Sequence, residues 1–299
     1  MGGANMQAKS FRPLQFGEIS VDRCVEHEGD FFPPARMFPL STPEAVDAER
    51  DWMEPHFIKP KSAGGRMQAG LFAYVIRTGR HTILVDTCVG NDKPRAFSPA
   101  WNMKKTNWLS DLAAMGVAPE SVTHIMCTHL HVDHVGWNTR LENGRWVPTF
   151  PNARYIFHKT EYDHWLTDQD AVGMDGCYDD SILPVVDAGL ADLVKSDFAI
   201  DDSIWIEPSP GHTPGHIFIN LKGGGKSALF TGDSFHHPIQ VAYPEWSSFA
   251  CTDKEQSAAT RQKTVARLCD TDTCMLGAHF AAPTAGRVVR KGSRWKLEV

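Results

Sequence analysis

The densest group of metal-binding side chains lies in the segment 128–134, THLHVDH. It offers three imidazoles and one carboxylate, which are good zinc ligands when histidine is neutral and aspartate is ionised. Residues two apart in an extended segment point to the same side, so His129, His131 and Asp133 can converge on one region. Four such groups after an apolar strand would be costly to bury unpaired. Together with His134, they predict a metal site.

Three later loop segments offer further ligands, each just past the end of a predicted strand. Segment 210–216, PGHTPGH, contains Gly and Pro residues that can fix an unusual backbone path and aim His212 inward. Asp233, in the segment TGD, can lend one oxygen to each of two metals. His279 ends a third segment, GAH. A site built on one edge of a sandwich requires this placement.

The elements that must position these residues occur in both halves of the chain. The predicted strands are 71–76, 82–85, 122–127, 153–157, 203–207, 217–221, 227–230 and 274–277. Helices are predicted over 107–115 and 252–269, with another starting at 160. The helix 252–269 opens with a capping box of Thr252 and Glu255. This alternation predicts an α/β protein in which two sheets pack face to face with helices outside.

An N-terminal arm with the first strand or strands is predicted for residues 1–69, as part of the same domain as residues 70–299. Within it, segment 30–70 is rich in Pro and Gly and is expected to be irregular. Long irregular segments in compact domains are often functional loops. Because such an arm would be easier to hold in place against a partner, a homodimer is a hypothesis.

The composition of the 299 residues narrows the possible partners and location. The net charge of −6 argues against a general nucleic-acid binder, which would normally carry a basic face. The sequence has no apolar run near the ~20 residues that span a bilayer, and no apolar signal core. Seven cysteines without a CxxC pair make a disulfide framework improbable. These features predict a cytoplasmic protein that binds neither membranes nor nucleic acids.

In chain order, HLHVDH, PGHTPGH, TGD and a late GAH resemble the metallo-β-lactamase superfamily of hydrolases, from about residue 70 to 290. The resemblance implies an αββα four-layer sandwich with a metal site on one edge. It implies two divalent metal ions, expected to be zinc, although such ligands also accept Mn, Fe or Co. By resemblance, the first metal is held by His129, His131 and His212, the second by Asp133, His134 and His279, and Asp233 bridges them.

The same resemblance suggests how the site would work. Two cations lower the pKa of a shared water towards neutrality, and the bridging hydroxide attacks the substrate. Asp133 is a candidate to take the proton from this water, and Asp86 is expected to support the histidine ligands from behind. His216 and His236 are candidates for outer or transition-state roles. His236 stands where lactonases of the family commonly carry Tyr, three residues after the bridging Asp233.

The lactonase and methyl-parathion-hydrolase-like branches are closest in pattern, so cleavage of a lactone or carboxylic (aryl) ester is the leading hypothesis. Phosphotriester (organophosphate) hydrolysis is an alternative. A mononuclear iron persulfide-type dioxygenase and a non-catalytic metal-binding protein are alternatives of other classes. Aromatic side chains near the motifs favour a small apolar or aryl substrate. The aromatic candidates are Phe31, Phe32, Trp101, Trp108, Trp137, Tyr162, Trp165 and Trp246.

Overall fold

The computed structural model describes residues 10–169, 171 and 173–299. The strands are β1 (Leu14–Phe16), β2 (Ile19–Asp30), β3 (Gln68–Arg77), β4 (Thr82–Val85), β5 (His124–Met126), β6 (Thr139–Glu142), β7 (Arg145–Pro148), β8 (Arg154–His158), β9 (Ala191–Val194), β10 (Ala199–Asp201), β11 (Ile204–Pro208), β12 (Ile217–Gly223), β13 (Lys226–Phe230), β14 (Cys274–Leu276), β15 (Ala285–Lys291) and β16 (Arg294–Glu298). The α-helices are α1 (Pro34–Met37), α2 (Pro43–Asp47), α3 (Arg50–Met53), α4 (Trp108–Ala114), α5 (Lys159–Trp165), α6 (Leu183–Asp187), α7 (Ile239–Ala242) and α8 (Lys254–Leu268). Short 3₁₀ turns cover Lys61–Ala63, Pro119–Ser121, Gly136–Asn138 and Gly232–Ser234, and a π-helical turn covers Tyr178–Ile182.

Two seven-stranded sheets form the centre of the fold, in the orders β1-β2-β3-β4-β5-β8-β9 and β10-β11-β12-β13-β14-β15-β16. Strand β3 shows why they stack, because it is buried on both faces. Its side chains Phe72, Tyr74 and Ile76 face the core between the sheets. The alternate residues Ala73 and Val75 pack on the opposite face, in the cluster that contains α4. The period of two in a strand thus produces adjacent layers.

The second sheet is covered in the same way on its outer face. Phe218 and Leu229 pack there with Val265 and Leu268 of α8. The layers are therefore helix, sheet, sheet, helix, and the predicted αββα sandwich is confirmed. The predicted strands and helices agree closely with the observed ones, but α8 is capped one residue later than expected. Its N-cap is Asp253, whose Oδ1 accepts a hydrogen bond from Gln256 N at 2.9 Å.

The N-terminal arm is more ordered than the sequence indicated. The prediction of an irregular segment 30–70 is wrong for α1, α2 and α3, whose apolar side chains enter the core of the second sheet's outer face. Tyr243 Oη also donates to Ala45 O at 3.1 Å. Since the arm packs on its own chain, irregularity gives no reason to expect a partner subunit. The homodimer, like the division at residue 70, stays a prediction. In the described residues, no helix is long and apolar enough to cross a membrane.

Candidate metal centre

Three histidine nitrogens converge at the end of β5. The distance from His129 Nε2 to His131 Nδ1 is 3.1 Å, and His212 Nε2 lies 3.2 Å and 3.0 Å from these two atoms. A zinc ion bound tetrahedrally at ~2.0–2.1 Å would hold nitrogen ligands about 3.3 Å apart. The triangle therefore has the size that a zinc ion requires, and all three side chains are buried. These are the residues predicted for the first metal.

Asp233 connects this triangle with a second group. Its Oδ2 lies 3.6 Å from His212 Nε2 and 3.9 Å from His129 Nε2. Its Oδ1 lies 3.0 Å from His279 Nε2 and 3.4 Å from His134 Nε2. One carboxylate thus directs an oxygen to each of two groups of imidazoles, which is the geometry of a bridging ligand.

Asp133 completes the second group. Its two oxygens lie 3.7 Å from His134 Nε2 and 3.6 Å from His279 Nε2. The three side chains can together hold one ion, as can the set of His212, Asp233 and His236. His134 Nε2 and Asp233 Oδ1 are buried without a hydrogen-bond partner. Buried polar atoms normally have a partner, so these orphaned atoms fit a cation between them. The structure brings together all seven residues predicted to bind metal.

The protonation states fit metal binding directly only in the first group, because burial disfavours the charged form of His134 and His279 but the neighbouring Asp233 outweighs it and raises the pKa of both, so a metal there would displace protons. Burial lowers the pKa of His129 and His212 well below the ordinary value, and lowers the pKa of His131 to about 4. These imidazoles are therefore neutral, with lone pairs available for a metal. Burial opposes the carboxylate form of Asp233, but the surrounding His279, His134 and His236 outweigh it and hold the pKa well below the ordinary value.

Asp86 supports the first loop from behind, as expected. Its Oδ2 lies 2.9 Å from His134 Nδ1, and its Oδ1 accepts a hydrogen bond from Thr128 N at 2.8 Å. Thr128 Oγ1 in turn lies 3.1 Å from His129 Nδ1. The carboxylate thereby turns the Nε2 atom of His134 towards the site. His279 is oriented similarly, with Nδ1 3.0 Å from Gly70 O.

His216 holds the backbone of the bridging residue. Its Nε2 accepts a hydrogen bond from Asp233 N at 3.0 Å, and its Nδ1 lies 2.7 Å from Ser209 Oγ. Burial lowers the pKa of His216 to about 3, which keeps Nε2 free to accept. A Cβ on the neighbouring Gly232 would lie 2.5 Å from His216 Nε2, so only glycine fits there. His216 therefore acts on the position of Asp233.

Glu161 is a buried supporting residue that the sequence analysis did not single out. Its carboxylate is buried and accepts from Leu130 N and Gly215 N, both at 3.0 Å, and from Trp165 Nε1 at 2.6 Å. Leu130 lies between two ligands of the first loop, and Gly215 belongs to the loop of His212. Glu161 therefore ties two ligand loops together. An isolated Glu near a helix start gives no signal of such a role.

His236 reaches the site from the segment after Asp233. It is 2% exposed, its Nε2 lies 3.2 Å from Asp233 Oδ2, and neither ring nitrogen has a hydrogen-bond partner among the described residues. Its ring stacks on that of His279 at a centroid distance of 6.1 Å. Burial lowers the pKa of His236, so its ring is neutral and carries one N–H. Its Nε2 is within hydrogen-bond distance of Asp233 Oδ2.

The aromatic candidates divide into two groups. Trp108, Trp137, Trp165 and Trp246 are buried core residues, so their assignment to a substrate rim is wrong. Trp101 and Tyr162 are partly buried and pack against the core that contains α4. Phe31 and Phe32 are partly buried in the arm, and Phe32 packs edge-on against Phe249 at 6.2 Å. Phe249, which the sequence analysis did not single out, is 42% exposed.

These three phenylalanines form an apolar cluster. Phe31 N donates to Met67 O at 2.8 Å, close in sequence to Gly70, which contacts His279. Phe249 lies two residues before Cys251, whose Sγ is 3.6 Å from His212 Nδ1. The Phe31–Phe32–Phe249 cluster is therefore connected along the chain to segments that contact His279 and His212.

The chain is similar to known proteins in sequence and in fold. The model of the metallo-beta-lactamase superfamily matches residues 70–273. The chain is 28% identical over 138 residues to the N-acyl homoserine lactonase AiiA of Bacillus thuringiensis subsp. kurstaki, an alignment covering 44% of this chain and 48% of that protein. A lactonase of Bacillus cereus is 24% identical over 197 residues, covering 60% of this chain and 72% of that protein. The chain thus spans about half the length of the first of these relatives.

Two solved structures share the fold over nearly the whole chain. One is AidC, a dizinc quorum-quenching lactonase in complex with a product, with a TM-score of 0.76, 19% identity and 97% of both chains covered. The other is the hydrolase AbOPH of the beta lactamase superfamily, with a TM-score of 0.77, 23% identity, and 98% and 99% of the chains covered. At these identities the likeness establishes the fold.

Fold and site together define a protein with two groups of His and Asp side chains at one edge of an αββα sandwich. The family match covers most of the chain, from β3 to the end of α8. The chain belongs to the metallo-β-lactamase superfamily.

Proposed function

We propose that this protein is a dinuclear-metal hydrolase that opens a lactone or cleaves a carboxylic (aryl) ester. The observation that carries the proposal is the bridging geometry of Asp233, with Oδ2 towards His212 and Oδ1 towards His279. The residues for the first ion are His129, His131 and His212, and those for the second are Asp133, His134 and His279. Zinc is the proposed metal, because neutral imidazoles and carboxylates suit it and the AidC structure is described as dizinc.

When bound, two such ions would lower the pKa of a shared water towards neutrality and polarise the substrate oxygen. The protein's residues supply the rest. Asp133, with a side chain 15% exposed, is the proposed acceptor of the proton from this water. His236 presents an N–H beside Asp233 and is the proposed donor to the substrate oxygen that gains negative charge. Asp86 and His216 keep the ligands in place, and Glu161 holds two loops at a fixed separation.

The substrate class is supported by two observations. The curated relatives are N-acyl homoserine lactonases, and the match to them is partial. The Phe31–Phe32–Phe249 cluster offers an apolar surface suited to an acyl chain or an aryl group. Both fit a molecule with a polar, cleavable ring or ester and an apolar tail. A lactone with an acyl side chain has this form.

The test is a comparison of initial rates on a panel of acyl lactones, an aryl acetate, a dialkyl aryl phosphotriester and a glutathione thioester. Asp233→Asn should lose turnover and one or both zinc ions. Asp272→Asn is the matched control, since the Asp272 side chain is 97% exposed and pairs only at the surface with Arg287. Lactone or aryl ester turnover that depends on Asp233 supports the proposal.

Other outcomes point elsewhere. Phosphotriester turnover above that of lactones and esters would move the protein to the alternative hydrolase class. One iron per chain with oxygen consumption on a persulfide would identify the dioxygenase class. A fully zinc-loaded protein with no turnover on the whole panel would refute both hydrolase assignments and leave only metal binding.

A further inference from the structure

His212 differs from two other predicted ligands, His134 and His279, in the group that contacts its second ring nitrogen. His134 turns its second nitrogen to the Asp86 carboxylate, and His279 turns its own to the Gly70 carbonyl. The second nitrogen of His212, Nδ1, instead lies 3.6 Å from the sulfur of Cys251. A histidine that binds metal through Nε2 carries a proton on Nδ1, and this N–H needs an acceptor. In this fold a thiol occupies the place of that acceptor.

Cys251 continues into a chain of buried polar groups. Its Sγ lies 3.4 Å from Ser257 Oγ, and Ser257 Oγ accepts a hydrogen bond from Arg261 Nη1 at 2.6 Å. The sulfur can accept a hydrogen bond from His212, and either Cys251 or Ser257 can donate in the contact between them. These three contacts connect His212 to Arg261 through Cys251 and Ser257.

Arg261 ends this series of hydrogen-bonded side chains and, among the described residues, has no carboxylate in contact with it. Its side chain is fully buried, and it donates to Pro244 O at 2.7 Å, Ser247 Oγ at 2.6 Å and Ser234 O at 3.2 Å in addition to Ser257. No ion pair of Arg261 occurs among residues 10–169, 171 and 173–299. A buried cation is costly unless its donors are well satisfied. Ser234 follows Asp233, so the same side chain also fixes the loop of the bridging ligand.

The backbone of the His212 loop packs against the start of α8, the helix that carries Ser257 and Arg261. Gly211 O accepts from Asp253 N at 2.9 Å, and His212 O accepts from Thr252 N at 2.8 Å. A Cβ at Gly211 would come within 2.3 Å of Ser257 N, so the contact leaves no room for a side chain. The backbone thus sets where His212 lies. The orientation of its ring is left to the side chain behind it.

We propose that Cys251 is the positioning residue for the His212 ring and that Arg261, through Ser257, holds Cys251 in that role. This hydrogen-bonded series of side chains sets the affinity for metal at the position that His212 forms with His129 and His131. The inference rests on the proposed dinuclear metal centre. Cys251 precedes α8 and Arg261 lies on α8, and neither side chain contacts the metal position itself.

The experiment measures zinc affinity by competition with a chromogenic chelator, with the metal-free melting temperature as a second readout. Cys251→Ala removes the acceptor, and we expect the zinc held by His129, His131 and His212 to lose about tenfold in affinity, the low end for partners behind a ligand. Cys251→Ser restores an acceptor and should restore affinity. Cys24→Ala is the control, because Cys24 is also buried but contacts the Trp108 carbonyl, away from the ligands.

Three results would overturn the inference. The first is wild-type zinc affinity in Cys251→Ala. The second is an affinity loss in Cys251→Ser as large as in Cys251→Ala, which would indicate packing by sulfur. The third is an equal affinity loss in Cys24→Ala, which would indicate a general effect of a cavity. Arg261→Lys keeps the charge but not the fork of donors, and should also weaken zinc binding; unchanged binding would remove Arg261 from the role. If the wild type bound no zinc, the proposed function itself would fail instead.

Discussion

Replacing Glu161 by Gln tests whether the ligand loops depend on one buried carboxylate. Both carboxylate oxygens accept hydrogen bonds from the loops, Oε1 from Leu130 N and Oε2 from Gly215 N. A Gln side chain has the same shape, but one oxygen becomes an NH₂ group. That group must face a backbone N–H in one of the two loops, so one donor loses its acceptor.

The size of the effect follows from this lost contact. A hydrogen bond to a charged group contributes about 1.5–3 kcal/mol, and an orphaned buried donor costs a similar amount. Burial raises the pKa of Glu161, so removing its charge recovers part of the desolvation cost. We therefore expect Glu161→Gln to lower the free energy of unfolding by about 2 kcal/mol. The loss of zinc affinity should be of the same order, since the two loops carry His129, His131 and His212.

Urea unfolding and chelator competition on the same preparations measure both quantities. Glu26→Gln is the matched control, because the Glu26 side chain is also buried and accepts from two backbone N–H groups, Val89 N and Gly90 N, in a segment that carries no predicted ligand. It should reduce stability while zinc affinity stays at the wild-type value. If Glu161→Gln kept both wild-type stability and wild-type zinc affinity, the two loops would not depend on this carboxylate. Equal zinc loss in Glu26→Gln would refute the reasoning as well.

Three further predictions concern other parts of the molecule. His236→Phe should lower kcat about 100-fold while two zinc ions remain bound, as for loss of one donor to a developing negative charge; zinc loss would instead make His236 a ligand. Phe249→Ala should raise KM roughly tenfold for long-chain lactones and leave short-chain lactones unchanged; equal KM for both would remove the cluster from substrate binding. Burial lowers the pKa of Lys93 to about 7, below that of the unfolded chain, so stability should rise from pH 7 towards 10 by up to about 1.4 kcal/mol per pH unit. In urea unfolding, Lys93→Met should show a flatter pH dependence than the wild type, and an equal slope would show that Lys93 is not so perturbed.

Much of the fold could be predicted because its determinants are local. Short apolar runs marked β3, β4, β12 and β13, and glycines marked the turns of the two hairpins that they form. The ligand residues stood out for the same reason, since the 128–134 segment concentrates metal-binding side chains and the later ones follow predicted strands. The αββα sandwich is confirmed, whereas the roles of the individual ligands stay predictions.

The supporting residues could not be found this way because their partners are distant in sequence. Glu161 meets Leu130 and Gly215, which lie 31 and 54 residues away. Arg261 reads as one residue of an amphipathic helix, and its contact with Ser234 spans 27 residues. The role of a buried polar side chain depends on which residues lie next to it in the folded protein. Composition and periodicity do not specify those neighbours.

The arm has a consequence for how the chain is made. Phe38, Met53 and Phe57 are buried among side chains of the second sheet, including its last strand β16. Lys291 reaches back to Glu49 across 242 residues. During synthesis the arm therefore leaves the ribosome long before most of its partners exist.

Contacts between such distant residues form slowly, because a long loop must close before they contribute. Until then the apolar side chains of the arm have no native surface to cover them, and exposed apolar segments promote aggregation. The arm helices α1, α2 and α3 are too short to persist alone in water. We therefore expect the newly synthesised arm to expose apolar surface until the second sheet is complete.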